Sequence, residues 1–324
     1  MDYQRLGSTG VKISRLGLGC GNFGGVGSAP AFYGMGETEV QAAALLDRAW
    51  EAGINLLDTA DAYGGGRSES YIGNWLKARG SSVRDRLVVS SKVFNPVGPG
   101  PNQRGLSRLH VLRQIDASLA RLATDRIDLY LIHEPDPATP LDETLRALDD
   151  AVRAGKILYI GASNISAWQT AVARGVSDLR GLVRFEWVQN SYSLLDRSAE
   201  REMLPFCADQ RVGFTAFSPL AGGWLTGKYH HQQAYPEGSR MTLRPEPYTH
   251  LAVERVFRGL DALAEAARAR GVTIEALSLA WVLAQPHIDA AIVGPRTPAH
   301  LASALAALDV SLSAADAAAL AALF

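Results

Sequence analysis

Short runs rich in apolar and β-branched residues alternate with helical patterns along the whole 324-residue chain. Such alternation is typical of a parallel α/β architecture with right-handed crossovers. Eight runs are predicted as strands, at residues 16–19, 55–58, 87–92, 127–133, 157–162, 187–190, 213–217 and 290–294. Apolar residues at three- and four-residue spacing predict helices at 37–52, 68–77, 108–122, 142–154, 167–173, 198–209, 247–270, 273–284, 297–308 and 313–323.

Eight strand-helix units in one uninterrupted run predict a (β/α)8 TIM barrel, with residues 1–324 forming a single domain. An open, doubly wound dinucleotide-binding sheet is the competing architecture. Ahead of the first unit, residues 3–5 and 11–13 flank the turn sequence Gly7-Ser8-Thr9-Gly10, which predicts a β-hairpin. We expect this hairpin to cover the amino-terminal end of the barrel, with extra helices following towards the carboxyl terminus.

Composition restricts the kind of partner. The formal net charge is −1 and no local cluster of Lys and Arg occurs, so we expect a small-molecule partner and no nucleic acid. Cys20 and Cys207 lack CxxC or His-rich surroundings, so neither a disulfide framework nor a metal site is expected. Without a signal-peptide pattern or a bilayer-spanning apolar run, the sequence favours a cytoplasmic protein with no membrane partner; it leaves open whether the chain forms a homo-oligomer.

The segment Gly19-x-Gly21-x-x-Gly24 has the spacing of a dinucleotide-binding glycine loop. In that motif the third glycine opens a helix, because the amides of the helix amino terminus bind the pyrophosphate. Here further glycines follow and no helical pattern begins before Glu37. We therefore interpret the segment as the first strand and first loop of a barrel, on the face where barrel enzymes place their sites.

Polar residues stand at or just beyond the carboxyl ends of three neighbouring strands. Asp58 ends the second strand, with Tyr63 in the following loop, Lys92 ends the third strand and His133 the fourth. Taken singly, each has an ordinary structural explanation as a cap, a packed aromatic, a surface charge or a core histidine. Taken together, they converge on one rim of the barrel, which indicates an active site.

The four side chains suit acid-base chemistry on a carbonyl group. A tyrosine hydroxyl has a pKa of about 10, and a nearby ammonium group lowers it by favouring the phenolate. Lys92 is placed to supply that ammonium, Asp58 to hold Lys92 charged and oriented, and His133 to hydrogen-bond a substrate oxygen.

Six segments, in this order, resemble those of the aldo-keto reductases: RLGSTGVKISRLGLG, LDTADAYGGGRSE, LIHEPD, GKILYIGASN, FSPLAGGWLTGKY and IVGPRTPAHL. The chain is most similar to the branch with potassium-channel β-subunits and bacterial aldehyde reductases. The resemblance implies a barrel that binds a nicotinamide cofactor in extended form, with the tetrad Asp58, Tyr63, Lys92 and His133 and Tyr63 as proton donor. Channel β-subunits carry Asn where this chain has His133, so the tetrad favours an enzyme over the alternative, an NADP(H)-binding regulatory subunit.

The resemblance also assigns cofactor contacts, to Gly19, Cys20, Gly21, Asp58, Ser163, Asn164, Gln189, Phe217, Ser218, Pro219, Leu220, Ala221, Gly222, Lys228, Arg240, Gly294, Arg296, Thr297 and His300. Ser163, Asn164 and Gln189 are expected at the nicotinamide carboxamide and Phe217 against the ring. The loop from Ser218 to Gly222 is expected at the pyrophosphate. An arginine beside a helix amino terminus suits a 2′-phosphate, so Arg296 and Thr297 favour NADPH over NADH.

Two features stay open at the level of sequence. His300, Ser303 and Ala304 replace family side chains that address adenosine, which leaves the strength of the NADP preference undecided. Loops 23–36, 94–106 and 224–248 are expected to shape the substrate pocket, with Phe23 and Trp224 as candidate lining residues. The sequence does not identify the carbonyl or alcohol substrate, or the direction of the reaction.

Overall fold

The computed structural model describes residues 1–324 and contains a closed barrel of eight parallel strands. A hairpin of β1 (Tyr3–Arg5) and β2 (Lys12–Ser14) precedes the barrel. The barrel strands are β3 (Leu16–Gly19), β4 (Leu56–Asp58), β5 (Val88–Val93), β6 (Ile127–Ile132), β7 (Ile157–Ser163), β8 (Phe185–Ser191), β9 (Gly213–Phe217) and β10 (Ala290–Val293). Strands pair in chain order, and β10 closes the ring on β3. The predicted (β/α)8 barrel and its hairpin are therefore confirmed.

The α-helices surround the barrel or extend its loops. They are α1 (Glu39–Glu51), α2 (Arg67–Arg79), α3 (Ser81–Arg84), α4 (Arg108–Leu122), α5 (Leu141–Arg153), α6 (Ala167–Arg180), α7 (Met203–Gln210), α8 (Arg240–Leu243), α9 (Glu254–Ala269), α10 (Ile274–Ala284), α11 (Pro298–Leu305) and α12 (Ala314–Ala321). No helix is both long and apolar enough to cross a bilayer.

Three predicted helices differ from the observed ones by more than three residues at one end. Helix α6 continues past residue 173 and ends where Gly181 adopts a φ of 65°, the left-handed conformation that favours glycine. The helix predicted at 198–209 is a 3₁₀ turn followed by α7, because Pro205 has no amide hydrogen and is tolerated only in a first helical turn. The helix predicted at 247–270 is likewise split, with extended backbone at Val253 just before α9.

The amino-terminal end of the barrel is closed by the hairpin. Leu6 and Ile13 are fully buried and pack in a small apolar cluster that also contains Leu56 and Trp187. Beside them, the Asp289 carboxylate accepts hydrogen bonds from the backbone amides of Gly7 (3.1 Å) and Phe214 (3.0 Å). This end therefore combines apolar packing with a carboxylate that ties the hairpin to β9.

Candidate active site

The four residues predicted from the strand ends lie together at the carboxyl-terminal end of the barrel. Asp58 is the last residue of β4, Lys92 lies near the end of β5, and His133 directly follows β6. Tyr63 opens a 3₁₀ turn, Tyr63–Gly66, five residues after Asp58. Because these strands are adjacent in the barrel, their carboxyl ends bring the four side chains to one place.

Asp58 and Lys92 form a buried ion pair. Lys92 Nζ lies 2.6 Å from Asp58 Oδ2 and also donates to the carbonyl oxygen of Thr59 at 2.9 Å. The other carboxylate oxygen of Asp58 accepts from Ser90 Oγ (3.1 Å) and Gln189 Nε2 (2.9 Å). The carboxylate is thus fully hydrogen-bonded, which is how proteins accommodate a buried charge.

Burial by itself lowers the pKa of Lys92, but Asp58 and Tyr63 more than offset it, and the net pKa is raised. Lys92 therefore stays an ammonium group. Its Nζ lies 5.1 Å from the centroid of the Tyr63 ring.

The net pKa shift of Tyr63 is upward, contrary to the expectation that Lys92 lowers it below its ordinary value. Burial raises the pKa of Tyr63, Lys92 pulls it down, and Asp58 pushes it up again. The attraction of the ammonium is present, as predicted, but desolvation of the phenolate is the larger effect. Tyr63 is consequently held as a neutral phenol that carries its proton.

His133 lies between Tyr63 and Asn95. Its Nε2 is 3.4 Å from Tyr63 Oη, and Asn95 Nδ2 is 3.0 Å from His133 Nδ1. An amide nitrogen only donates, so Nδ1 accepts and the ring hydrogen sits on Nε2. Burial and the nearby Lys92 lower the pKa of His133 to about 3, so the ring is neutral. His133 therefore presents an N–H donor to the Tyr63 hydroxyl, which leaves the phenolic proton free for another acceptor.

The glycine-rich segment that follows β3 packs directly against this group. A Cβ atom on Gly21 would lie 3.6 Å from the Tyr63 ring, so a larger side chain would crowd the site. The Cys20 amide donates to the Asp58 carbonyl at 2.8 Å. Burial raises the pKa of the Cys20 thiol well above its usual value, so it is a packed thiol rather than a nucleophile. No helix opens at Gly24; α1 begins at Glu39 behind the capping residue Thr38.

Basic side chains gather beyond the ends of β9 and β10. We call Lys228, Arg240 and Arg296 the cation cluster. Burial lowers the pKa of Lys228, and Arg296 and Arg240 lower it further. The pKa of Arg240 is lowered by burial and by Arg296 among its neighbours, and neither Lys228 nor Arg240 has an acidic ion-pair partner. Lys228 is exposed and the two arginines are half-buried, and cations that repel one another suit an anionic ligand such as a phosphate group.

Arg296 is already partnered. Its Nε lies 2.8 Å from Glu37 Oε1, and its Nη1 donates to the Gly238 carbonyl at 2.9 Å. Next to it, Thr297 caps α11 by accepting from the His300 amide at 3.2 Å, as the sequence predicts. The helix amino terminus and the arginine are thus adjacent, although His300 itself is exposed.

Comparison with known proteins identifies the family of the chain. Residues 15–324 match the model of the aldo/keto reductase family. An uncharacterized oxidoreductase of Bacillus subtilis, YrpG, is 38% identical over 96% of this chain and 92% of its own length. Versiconal hemiacetal acetate reductase of Aspergillus parasiticus is 34% identical over 97% and 94%, and a probable voltage-gated potassium channel subunit beta of Arabidopsis thaliana is 35% identical over 96% and 92%.

The chain belongs to the aldo/keto reductase family. Membership implies carbonyl reduction with a nicotinamide cofactor, so the chain is an oxidoreductase of this class. The relatives include both proteins named as reductases and proteins named as channel subunits.

The cofactor residues expected in an aldo/keto reductase lie around the same barrel mouth. Ser163 ends β7, Gln189 lies in β8, and Phe217 ends β9, while Gly19 ends β3. Asn164 Nδ2 donates to the His133 carbonyl at 2.9 Å. Gln189 donates one amide hydrogen to Asp58, so its amide oxygen and its second amide hydrogen are left for a ligand. These positions agree with a nicotinamide near Tyr63, and the contacts themselves stay predictions.

The loop expected to bind pyrophosphate holds two strained residues. Ser218 and Ala221 have φ values of 52° and 47°, which cost non-glycine residues free energy. Tyr248 packs on this loop: its Oη is 3.1 Å from Ser218 Oγ, and a Cβ on Gly222 would lie 2.4 Å from its ring. Pro219 and Leu220 connect these residues, and Gly294 follows β10, the strand that pairs with β9. Strained backbone at the predicted phosphate loop is consistent with a binding role.

Phe23 and Trp224, the two predicted pocket residues, are 1% and 0% exposed. Trp224 packs against the rings of Tyr229, Tyr235 and Phe257. Packing within the protein therefore accounts for Trp224, and contact with substrate stays a prediction for both residues.

Three residues of the site were missed from the sequence. Asn95 orients His133, Glu37 pairs with Arg296, and Tyr248 covers the loop at Ser218. Asn95 and Tyr248 fall within loops expected to shape the pocket, but no periodicity distinguishes them from their neighbours. The Glu37 partner is 259 residues away in the chain, so no local pattern indicates the pair.

Proposed function

We propose that this chain is an NADP(H)-dependent aldo-keto reductase that reduces an aldehyde, ketone or sugar carbonyl to an alcohol, or runs the reverse oxidation. One observation carries the proposal: a neutral Tyr63 phenol lies between a charged lysine and a histidine N–H donor. A regulatory subunit that binds the cofactor without turnover does not require a proton donor arranged in this way.

The proposed acid-base role follows from the hydrogen bonds. Tyr63 donates its proton to the substrate carbonyl oxygen. His133 Nε2–H donates a hydrogen bond to the Tyr63 hydroxyl oxygen and to the substrate oxygen bound beside it. The Lys92 ammonium stabilises the phenolate that remains, and Asp58 keeps Lys92 in place. When bound, the reduced nicotinamide supplies the hydride that completes the reduction. In alcohol oxidation the Tyr63 phenolate takes the proton instead.

The cation cluster supports NADP(H) as the preferred cofactor. Its lysine and two arginines would hold the pyrophosphate and the 2′-phosphate, with the amino terminus of α11 beside Arg296. The loop around Ser218 and Gly222 would approach the pyrophosphate through its backbone. We propose the remaining cofactor contacts at the positions that the family resemblance assigns, and a small-molecule substrate bound above Tyr63 by a single-domain, cytoplasmic enzyme.

Replacing Tyr63 with Phe tests the proposed function. The variant loses the proton donor and keeps the ring, so kcat for carbonyl reduction should fall by about 100-fold to 10,000-fold. The dissociation constant for NADPH should stay within about twofold, since the change removes one oxygen atom. Oxidation of NADPH, followed by its absorbance with a panel of aldehydes, ketones and sugars, measures the first quantity, and fluorescence titration the second.

The same assay separates the enzyme from its alternative. Similarity to proteins named as channel β-subunits favours an NADP(H)-binding subunit with little turnover. Cofactor binding by the unmodified protein without turnover on any carbonyl in the panel would support that alternative. Near-normal turnover by Tyr63→Phe would remove Tyr63 from the mechanism.

A further inference from the structure

Glu37 is a buried carboxylate beside the cation cluster, and the reaction proposed above gives it no role. The residue is 3% exposed. Its Oε1 accepts from Arg296 Nε at 2.8 Å, whereas its Oε2 is buried and has no hydrogen-bond partner. Burial raises the pKa of Glu37, and the hydrogen bond and charge of Arg296 oppose that shift. Arg296 is therefore the one ion-pair partner of this carboxylate, with a smaller favourable contribution from the charge of Arg240.

The carboxylate is held at this position by its backbone. The Glu37 amide donates to the Asn22 carbonyl at 2.9 Å, and the Gly24 amide donates to the Glu37 carbonyl at 2.8 Å. Arg240 reaches the same segment, with its Nη2 3.4 Å from Asn22 Oδ1. Arg296 is fixed on its other side by the Gly238 carbonyl. Because both partners are anchored, Glu37 stays near any anion that Arg296 binds.

Resting on the proposed function, we propose that Glu37 is a specificity-determining residue that limits how strongly the site prefers the 2′-phosphate of NADP(H) to the 2′-hydroxyl of NAD(H). Glu37 already neutralises the arginine that is predicted to receive the phosphate. A 2′-phosphate carries about −1.5 to −2 charge at neutral pH and is repelled by a carboxylate held in a medium of low dielectric. A 2′-hydroxyl is neutral and can donate to a carboxylate, as it does in NAD-binding sites of other folds.

A purely structural role for Glu37 predicts the opposite result. If Glu37 only positioned Arg296, removing its charge would loosen the arginine and weaken binding of the 2′-phosphate. The sign of the change therefore separates the two roles. Glu37→Gln is the appropriate variant because glutamine keeps a hydrogen-bond acceptor for Arg296 and loses only the charge.

The experiment compares 2′,5′-ADP with 5′-AMP, two nucleotides that differ by the 2′-phosphate, using calorimetric titration of the full chain. Glu37→Gln should lower the dissociation constant of 2′,5′-ADP and leave that of 5′-AMP nearly unchanged. The ratio of the two constants should shift about tenfold in favour of the 2′-phosphate, which corresponds to about 1.4 kcal/mol. NADPH and NADH, titrated by fluorescence, should shift in the same direction.

Glu39→Gln is the matched control. Glu39 is two residues away and exposed, and its carboxylate accepts from Asn74 rather than from the cation cluster. This variant should leave the ratio unchanged. Glu37→Ser, which also lacks the charge, is a second variant that decides the question if the glutamine variant is poorly folded.

A double-mutant cycle ties the effect to Arg296. In an Arg296→Ala background, Glu37→Gln should change the nucleotide ratio by a smaller factor than in the unmodified protein, because only the direct repulsion between Glu37 and the phosphate is left to relieve. A ratio that stays constant or falls in the single variant would overturn the inference and leave the proposed function standing. Failure of the unmodified protein to bind any of the four nucleotides would overturn both.

Discussion

At the amino-terminal end of the barrel, the Asp289 carboxylate accepts from two backbone amides, and the apolar residues of the hairpin are fully buried. At the carboxyl-terminal end, Glu37 Oε2 and both carboxylate oxygens of Asp61 are buried without a partner. Burial raises the pKa of Asp61 well above its usual value, with Glu69 adding to the effect. Ser218 and Ala221 add strained backbone at the same end.

The amino-terminal end therefore contributes mainly to the stability of the barrel, whereas the carboxyl-terminal end has the features of a ligand-binding site. At the closed end, burial of apolar surface stabilises the fold, and the Asp289 carboxylate is already hydrogen-bonded within the protein. The open end keeps buried charges and strained loops that reduce stability, a pattern typical of binding and catalytic sites. Substitutions at the two ends should therefore change stability and activity in different proportions.

The largest expected effect lies at the open end, in Lys92→Met. This change leaves the Asp58 carboxylate, 4% exposed, without its cation and should lower the free energy of unfolding by about 3–5 kcal/mol. Carbonyl reduction should also be lost. Asp58→Asn combined with Lys92→Met removes both charges, and urea unfolding should show most of the stability restored while activity stays absent. A single variant as stable as the unmodified protein would contradict this account.

At the closed end, Ile13→Ala should affect stability alone. Ile13 is 0% exposed and packs with Leu6, so the cavity left by truncation should cost about 3 kcal/mol of unfolding free energy. Well below the unfolding temperature, kcat and KM should match those of the unmodified protein. A tenfold loss of kcat in the folded variant would show that the two ends are coupled.

The two ends should also respond to pH in opposite directions. Burial raises the pKa of Asp289 to about 6, so the folded state holds this proton more tightly than the unfolded chain does. The contribution of Asp289 to stability is therefore fully present below the unfolded pKa of about 3.9, is lost as pH rises through about 6, and stays low above that. His133, with its pKa lowered to about 3, contributes fully above pH 6.5 and loses that contribution as pH falls.

Asp289→Asn isolates the contribution of the closed end. The asparagine oxygen still accepts from the amides of Gly7 and Phe214, but it does not titrate. The unfolding free energy of the unmodified protein, minus that of the variant, should fall by about 2 kcal/mol between pH 4 and pH 6.5. Chemical unfolding at a series of pH values measures this difference, and a flat difference would exclude Asp289 as the titrating group.

The positions of the acid-base residues at the open end could be predicted from the sequence. Parallel strands deliver their carboxyl ends to one rim, so Asp58, Lys92 and His133 need only be recognised as strand ends to be placed together. The net pKa direction of Tyr63 was missed because it depends on the depth of burial, which sequence spacing does not measure. Asn95 and Glu37 were missed because their partners are set by how loops pack, and loop packing leaves no periodic signal.

Closure of the barrel links the folding order to the assembly of the site. Ala291 of β10 pairs with Leu16 of β3, and the two residues are far apart in the sequence. Bringing them together costs more loop-closure entropy than pairing consecutive strands, so we expect this contact to form late in folding. Asp58, Tyr63, Lys92 and His133 come from consecutive strands and can approach one another before that step. Lys228, Arg240 and Arg296 follow β9 or β10, and Arg296 meets Glu37, which follows β3, only when the ring closes. A chain stalled before closure would therefore carry the acid-base group without a complete receptor for the phosphates.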